Sequence, residues 1–310
     1  LRCPALVTYK AKGVIADSHV SNMGIFTGGK VEQTCVSKSD LIILIGLDPV
    51  ELILKPWPYN IPVLDIALIR HKPHYTLATE TLYGALAPSL DLLQSQASPS
   101  IWTTNELVAI KNDINSRMQF VGRRELNPQS IVQMAQRAAS SRPRITVDAG
   151  AHMISATAFS QASEPFDLLI SNGLATMGFA VPAAVAAALE NPSRGALAFT
   201  GDGGFMMCAS ELALAAQTKA KLLVIVFNDA SLSLISIKQR SRNMAKRGTE
   251  WPRLNFAKIA VGLGCHAWQV DNVVDYQLAL QNAFALNGPS LIDVVLDPDG
   301  YAEQLAALRG

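Results

Sequence analysis

Unbroken apolar runs of strand length alternate with helix-like stretches along most of the chain. Because these runs are continuous rather than alternately apolar and polar, they are typical of strands buried on both faces, as in parallel sheets. The Ala- and Leu-rich stretches 177–190 and 209–219 predict covering helices. The alternation therefore predicts an α/β fold built of parallel-sheet, three-layer domains. The predicted strands are PALVTY, DLIILIGL, VLDIAL, RITVDAG, DLLISN, GALAFTGDG, KLLVIVFND, HAWQV and SLIDVVLD.

A change of character in the first third of the chain divides this pattern. The segment LLQSQASPSIWTTNELVAI is richer in polar residues and contains Pro99. A length of 310 residues favours about two domains, since domains run roughly 100–200 residues. We expect a first domain at residues 1–98, a partly helical linker at 99–126 and a second domain at 127–310.

Composition and charge exclude several classes of protein. Hydrophobic residues make up 49% of the chain and charged residues 16%, which favours a compact core over disorder. The net charge of +1 gives no general electrostatic reason to bind nucleic acid or a membrane surface. The apolar runs are shorter than the roughly 20 residues of a membrane span. Four scattered cysteines without paired metal-ligand spacing favour a reducing compartment, and we expect a cytoplasmic protein.

Oxygen-bearing side chains follow two strands that are consecutive in the sequence. Asp202 comes after GALAFT, and Asn228 and Asp229 come at the end of KLLVIVF. If these strands are neighbours in the sheet, the side chains converge at the edge where parallel α/β sheets bind ligands. Carboxylate, amide and carbonyl oxygens together suit a hard cation such as Mg2+.

The glycines around the first acid indicate a second kind of ligand. Gly201, Gly203 and Gly204 permit a tight turn and the close approach of a phosphate. Backbone amides near the start of the following helix would favour an anion. The unit therefore predicts a clamp for a metal and a diphosphate, and the alternative is that Asp202 and Asp229 are ordinary loop acids.

Three blocks of sequence carry a resemblance to a known family. Gly-Asp-Gly, followed about 27 residues later by an Asn-containing pair, is similar to the cofactor motif of enzymes that depend on thiamine diphosphate (ThDP). SNGLATMGFAVPAA and VDAGAH resemble the upstream segment and the first diphosphate-binding loop of the acetolactate synthase, pyruvate oxidase and benzoylformate decarboxylase group. VTYKAKGVIADSH and SDLIILIGLDP resemble the latter part of that group's central domain. The resemblance thus covers nearly the whole chain.

The resemblance implies a set of metal ligands. Asp202 matches the first Mg2+ ligand, and Asp229 stands where the family usually has the second Asn of an Asn-Asn pair. The third ligand would be the backbone carbonyl of Ser231. Because Asp in place of Asn adds negative charge beside a diphosphate, Asn228 remains the alternative second ligand.

The resemblance also implies contacts with the rest of the cofactor. His152 matches a residue near the diphosphate, and Met177 matches the apolar residue that supports the bent form of ThDP. Ala175 would offer its backbone carbonyl to the aminopyrimidine. The alternatives are a loop histidine for His152 and simple core packing for Met177.

An activity and a partner follow from the same resemblance. It implies attack on a 2-oxo acid, loss of carbon dioxide, and protonation or ligation of the product. In the family a Glu on a separate pyrimidine-binding domain activates the cofactor, and each site lies between two subunits. No stretch here resembles that domain, and the chain opens at Leu1 in a strand-like run. We therefore expect a fragment or a processed chain that has no catalytic residue of its own, is inactive alone, and works as a homo-oligomer or with a polypeptide supplying that domain.

Other functions are less well supported by the sequence. GIFTGGK has the spacing of a phosphate-binding P-loop, but Val31 stands where that loop needs Ser or Thr. GLGCHA follows a predicted helix and precedes a predicted strand, the reverse of the dinucleotide-binding arrangement, which argues against a dehydrogenase-type domain. The expected flavin motif is not evident after LIGLDP, so we expect no FAD. A non-catalytic binding or regulatory module with the same fold remains the alternative function.

A basic stretch follows directly on the second acid-bearing strand. It could recruit an anionic substrate such as a 2-oxo acid, or it could be a solvated helix face or a subunit contact. Its cations are Lys238, Arg240, Arg242, Lys246, Arg247 and Arg253.

Overall fold

The computed structural model of the 310-residue chain describes most, but not all, of its residues. The described residues are 2–48, 50–51, 56–73, 75–171, 173–296 and 298–309. Pro49, Asn172 and Asp297 belong to stretches interpreted above and lie outside the described residues, as do the two terminal residues.

The chain divides into two compact units. The first comprises Leu1–Met118 with Ala306–Gly310, and the second comprises Gln119–Leu305. The division near residue 118 falls within the stretch 99–126 that we expect to link two domains. Much of that stretch is a helix, Thr104–Met118.

The first unit contains two small parallel sheets, one pairing β1 with β2 and one of order β3-β4-β5. Strands predicted from PALVTY, DLIILIGL and VLDIAL appear as β1, β3 and β4. β2 and β5 are not among the predicted strands, because their sequences, NMGI and ETLY, contain only two large apolar residues each and form no continuous apolar run. The elements are β1 (Ala5–Val7), β2 (Asn22–Ile25), α1 (Gln33–Val36), β3 (Ile42–Ile45), β4 (Val63–Ala67), β5 (Glu80–Tyr83), α2 (Leu86–Gln96) and α3 (Thr104–Met118).

The second unit is built on one six-stranded parallel sheet of order β10-β11-β9-β8-β6-β7. Its strands coincide with the six predicted from RITVDAG onward, which confirms the parallel α/β class. The elements from this part of the chain to its end are α4 (Pro128–Ala138), β6 (Arg144–Val147), α5 (His152–Phe159), β7 (Leu168–Ile170), α6 (Ala180–Glu190), β8 (Ala196–Gly201), α7 (Asp202–Cys208), α8 (Glu211–Thr218), β9 (Leu222–Asn228), α9 (Ser233–Ser241), α10 (Phe256–Gly262), β10 (His266–Val270), α11 (Val273–Ala285), β11 (Pro289–Val295) and α12 (Tyr301–Arg309).

The central strands of this sheet are buried on both faces. All seven residues of β9 are buried, as the unbroken apolar run predicts. Small side chains on α6 let this helix pack closely on the sheet, and Phe205 meets Phe256 edge-on with ring centroids 5.3 Å apart. Burial of this apolar surface, at about 25 cal/mol per Å², stabilises the unit.

Strands β8 and β9 are direct neighbours. Their parallel pairing runs from Ala196 opposite Leu222 to Gly201 opposite Phe227. Both strands therefore end at the same edge of the sheet, which confirms that the residues following them lie close together. Among the residues that the structure describes, no helix is both long enough and apolar enough to cross a membrane.

Candidate functional site

Asp202 and Asp229 lie at the shared edge of β8 and β9. Asp202 opens α7 and is 2% exposed. Its Oδ1 accepts a 2.7 Å hydrogen bond from the Gly203 amide, whereas its Oδ2 is buried without a hydrogen-bond partner in the described part of the chain. Asp229 accepts hydrogen bonds from the Ser231 amide at 3.1 Å and the Ser233 hydroxyl at 2.6 Å. The structure thus brings the two predicted acids together and leaves a carboxylate oxygen of one of them unpaired.

The two carboxyl groups oppose each other electrostatically. Burial, and then the charge of Asp229, raise the pKa of Asp202 to about 7, although the amides of Gly203, Ala230 and Ser231 lower it. Burial raises the pKa of Asp229 to about 6, against the hydrogen bonds from Ser233 and Ser231 and the charge of Arg253. A bound cation would remove this penalty, because it favours both ionised forms.

The donor set fits a hard cation rather than a soft one. No group of three or more His, Cys, Asp or Glu side chains that could hold a metal occurs among the described residues. A cation at Asp202 and Asp229 would therefore need further oxygen ligands, such as a backbone carbonyl and a bound phosphate. That is the usual manner in which Mg2+ is held, with one or two carboxylates and phosphate oxygens.

Asn228 occupies a different position from Asp229. Its Nδ2 donates to Asp293 Oδ1 at 2.8 Å and to the Leu254 carbonyl at 2.9 Å. These bonds hold the side chain toward β11, while its Oδ1 is buried without a hydrogen-bond partner among the described residues. Asn228 therefore stays the alternative ligand, and the choice of Asp229 stays a prediction.

His152 lies against the same sheet edge, at the start of α5. Its ring stacks on Phe227 with centroids 5.2 Å apart, and its Nε2 is buried without a described hydrogen-bond partner. Burial lowers the pKa of His152 to about 4, although the nearby Asp148 raises it. A Cβ on Gly150 would lie 2.6 Å from the ring, and one on Gly201 would lie 3.1 Å from it. The site thus requires glycines beside a neutral imidazole, which can donate one hydrogen bond without adding charge.

Met177 forms part of an apolar wall over the turn that carries Asp202. A Cβ on Gly203 would lie 2.8 Å from Leu232 Cδ2, 3.2 Å from Met177 Cε and 3.4 Å from the Trp251 ring. This close approach explains why a glycine follows Asp202. The wall is apolar and lies next to the acids, and the predicted role of Met177 in supporting the cofactor stays a prediction.

Ala175 lies in an exposed turn just before this wall. Its φ of 48° is in the left-handed region, and its side chain is exposed. Leu174 beside it is 89% exposed. The turn thus presents backbone and an apolar side chain to the outside of the unit, and the predicted role of the Ala175 carbonyl stays a prediction.

From a buried position, Asp148 forms hydrogen bonds to two segments of the site. The sequence did not single it out. It is fully buried and accepts hydrogen bonds from the amides of Gly178 and Phe179, both at 3.0 Å, and from the Thr200 hydroxyl at 2.9 Å. A Cβ on Gly204 would lie 2.1 Å from its Oδ2. Asp148 therefore ties the segment after Met177 to the end of β8. The only signal in the sequence was a charged residue directly after a buried strand.

A segment that we call the strap, residues 249–254, crosses the turn that follows β9. The sequence singled out Arg253 within it as a basic residue, but it did not predict the contacts of this segment. The Leu232 amide donates to the Thr249 carbonyl at 2.9 Å, and the Trp251 amide donates to the Ala230 carbonyl at 3.3 Å. These bonds bring Trp251 over Gly203. Its sequence, TEWPRL, gave one signal, an aromatic residue at the end of a basic stretch.

Residues 148–294, which contain the whole of this site, match the family model described as "Thiamine pyrophosphate enzyme, C-terminal TPP binding domain". This match confirms the resemblance at the level of the domain: residues 148–294 of the second unit are similar to the C-terminal domain of thiamine diphosphate-dependent enzymes. Over 96% of its length the chain is 26% identical to acetolactate synthase of Bacillus subtilis (strain 168), covering 54% of that protein.

Two further relatives span a similar region. The chain is 27% identical to the acetolactate synthase isozyme 1 large subunit of Escherichia coli (strain K12), over 96% of the chain and 54% of that protein. It is 25% identical to pyruvate oxidase of Lactiplantibacillus plantarum, over 96% of the chain and 52% of that protein. The chain spans about half the length of the curated relatives it matches.

Proposed function

We propose that the chain provides the metal- and diphosphate-binding part of a ThDP-dependent enzyme that acts on 2-oxo acids. The reaction would be a decarboxylation or a carboligation of the acetolactate synthase type, that is, lyase or transferase chemistry. The observation that carries the proposal is the buried pair Asp202 and Asp229, with an unpaired carboxylate oxygen, at the carboxyl edge of a sheet that matches the ThDP-binding domain.

Each residue of the site has a defined task in this proposal. Asp202, Asp229 and the Ser231 carbonyl would hold Mg2+, which would bind the diphosphate. Gly201, Gly203 and Gly204 leave the backbone open to it. When bound, ThDP supplies a thiazolium carbanion that adds to a carbonyl and then acts as an electron sink.

The remaining residues would position the organic part of the cofactor. His152, neutral because of its burial, would donate a hydrogen bond near the diphosphate. Met177 would support the bent cofactor, and the Ala175 carbonyl would accept from the aminopyrimidine.

The site would be completed outside these 310 residues. None of the described groups is matched to the acid that activates ThDP in the family, so we propose that this polypeptide is inactive alone. A second polypeptide or copy would supply a pyrimidine-binding domain in a homo-oligomeric, cytoplasmic enzyme.

Calorimetric titration of the chain with ThDP, with and without Mg2+, tests the proposal. We expect binding that depends on Mg2+ and is lost in Asp202→Ala, because that variant removes one carboxylate ligand. Asp91→Ala is a matched control, since Asp91 is an exposed acid on α2. ThDP affinity that is the same in wild type and Asp202→Ala would contradict the proposed site.

Comparing Asp229→Ala with Asn228→Ala in the same titration decides the ligand register. We expect the larger loss of affinity in Asp229→Ala. A larger loss in Asn228→Ala would assign the second ligand to Asn228.

A further inference from the structure

Arg253 holds a distinct position among the cations of the basic stretch. Its Nη1 donates a 2.8 Å hydrogen bond to the carbonyl of Asn228, the residue directly before Asp229. Lys246, by contrast, forms an ion pair with Glu250. Arg253 thus contacts the end of β9, at the backbone carbonyl directly before Asp229.

The strap fixes Arg253 in this place from both sides. On one side, Ser231 and Glu250 form an antiparallel bridge, next to the Leu232–Thr249 hydrogen bond of 2.9 Å. On the other side, the Asn228 side chain donates to the Leu254 carbonyl at 2.9 Å. These contacts fix the backbone on both sides of Arg253, and the bond to the Asn228 carbonyl holds its guanidinium. A side chain placed in this way loses less freedom when it acts on a ligand.

A cation at the position of Arg253 would offset negative charge at this edge of the sheet. An Asp at position 229, in place of an amide, adds one negative charge where a diphosphate must also approach. Mg2+ offsets part of that charge, but each further negative charge weakens anion binding. We propose that Arg253 is the counter-charge for Asp229, a positioning residue that lets this acid serve beside an anionic diphosphate. This inference rests on the proposed function and deepens it.

A purely structural role for Arg253 makes a different prediction. If Arg253 only fastened the strap to the Asn228 carbonyl, its loss would weaken every ligand alike, and the charge at position 229 would not matter. If Arg253 is a counter-charge, its loss weakens anion binding, and removing the acid's charge restores it. Loss of a cation near the site should also strengthen the binding of Mg2+ alone, which damage to the fold would not do.

The test is a double-mutant cycle measured by calorimetry. The proteins are wild type, Arg253→Gln, Asp229→Asn and the double variant, with Arg247→Gln as a matched control from the same exposed stretch. The ligands are ThDP and inorganic diphosphate at saturating Mg2+, and Mg2+ alone. We expect Arg253→Gln to weaken both diphosphate ligands roughly tenfold and to tighten Mg2+ alone, as a change of one nearby charge would.

Three further results support the counter-charge. Most of the lost affinity should return when Asp229→Asn is added to Arg253→Gln. Arg253→Lys should keep near-wild-type affinity, since it keeps the charge, and this variant also carries the test if Arg253→Gln does not fold. The difference between wild type and Arg253→Gln should shrink at high salt, because salt screens exposed charges.

Other results would overturn the inference. An equal loss in Arg253→Gln whether residue 229 is Asp or Asn would leave Arg253 a structural fastener. Unchanged diphosphate affinity in Arg253→Gln, with normal Mg2+-dependent binding by wild type, would overturn the role of Arg253 alone. No diphosphate binding by wild type would overturn the proposed function and this inference together.

Discussion

Each unit of the chain buries a carboxyl group with an unpaired oxygen, but in very different settings. In the first unit, Glu32 is 0% exposed, and its Oε1 accepts hydrogen bonds from the amides of Thr27 at 3.0 Å and Gly29 at 2.7 Å. In the second unit, Asp202 faces another buried acid, Asp229, whose charge raises its pKa. Glu32 accepts hydrogen bonds from its own loop. Asp202 and Asp229 repel each other when both are ionised, and a bound cation would offset that repulsion.

The comparison teaches what marks a binding site. The loop around Glu32 is the GIFTGGK segment, whose spacing imitates a P-loop. Glu32 occupies the amides of Thr27 and Gly29 that a phosphate would need, so these amides serve the fold. A buried acid alone is therefore weak support for a ligand, and two like charges held together are stronger support.

The largest expected effect is on the rate of carbon dioxide release, which tests whether the chain can catalyse the reaction without a pyrimidine-binding domain. With ThDP and Mg2+, the 310-residue chain alone should show no steady carbon dioxide release from pyruvate or benzoylformate. Adding a polypeptide with a pyrimidine-binding domain should raise the rate by roughly 10²–10⁴-fold, the usual effect of a placed acid or base. Steady release by the chain alone would show that the missing acid lies within it.

The next largest effect is the pH dependence of the free energy of unfolding that results from protonation of His152, a residue of the second unit. The pKa of His152 is lowered from 6.5 to about 4 by burial, so its neutral form stabilises the fold above pH 6.5. That stability is lost as the pH falls from 6.5 toward 4, by an amount of roughly 3 kcal/mol.

Urea unfolding of the chain between pH 4 and pH 8 checks this expectation. His152→Gln should lose less stability than wild type over that interval, because no imidazole has to become charged. His266→Gln, which changes an exposed histidine on β10, should behave like wild type. Parallel pH curves for wild type and His152→Gln would contradict the role given to burial.

Much of the second unit could be predicted from local sequence. Its strands are continuous apolar runs, and the rule that parallel strands end at one edge placed Asp202 beside Asp229. The contacts that were missed join residues distant in sequence. Asp148 bonds the Gly178 amide 30 residues away, and Arg253 bonds the Asn228 carbonyl 25 residues away. The pattern of apolar and polar residues does not predict such contacts, because they join segments that meet only in the folded sheet.

The variant Glu32→Ala tests whether Glu32 stabilises the fold, in contrast to the acid pair Asp202 and Asp229. It would leave the amides of Thr27 and Gly29 buried without their acceptor, and we expect a loss of about 1–3 kcal/mol in the free energy of unfolding. ThDP affinity should stay unchanged, since this acid serves its loop. The measurements are urea unfolding and calorimetry, with exposed Asp40→Ala as the control. A loss of ThDP affinity without a loss of stability would make the Glu32 loop a ligand site after all.

The smallest effect concerns Met177, the apolar neighbour of the acid pair. Met177→Ala removes side-chain atoms that lie 3.2 Å from the Cβ position of Gly203, but it leaves Asp202 and Asp229 in place. We therefore expect inorganic diphosphate to bind as in wild type, while turnover of the chain complemented with a pyrimidine-binding domain falls roughly tenfold, about 1.4 kcal/mol. Met244→Ala, an exposed methionine of the basic stretch, is the matched control. Because the diphosphate is held elsewhere, a fall in turnover with unchanged diphosphate affinity would assign Met177 to the organic part of the cofactor. Unchanged turnover would leave Met177 a packing residue beside the acids.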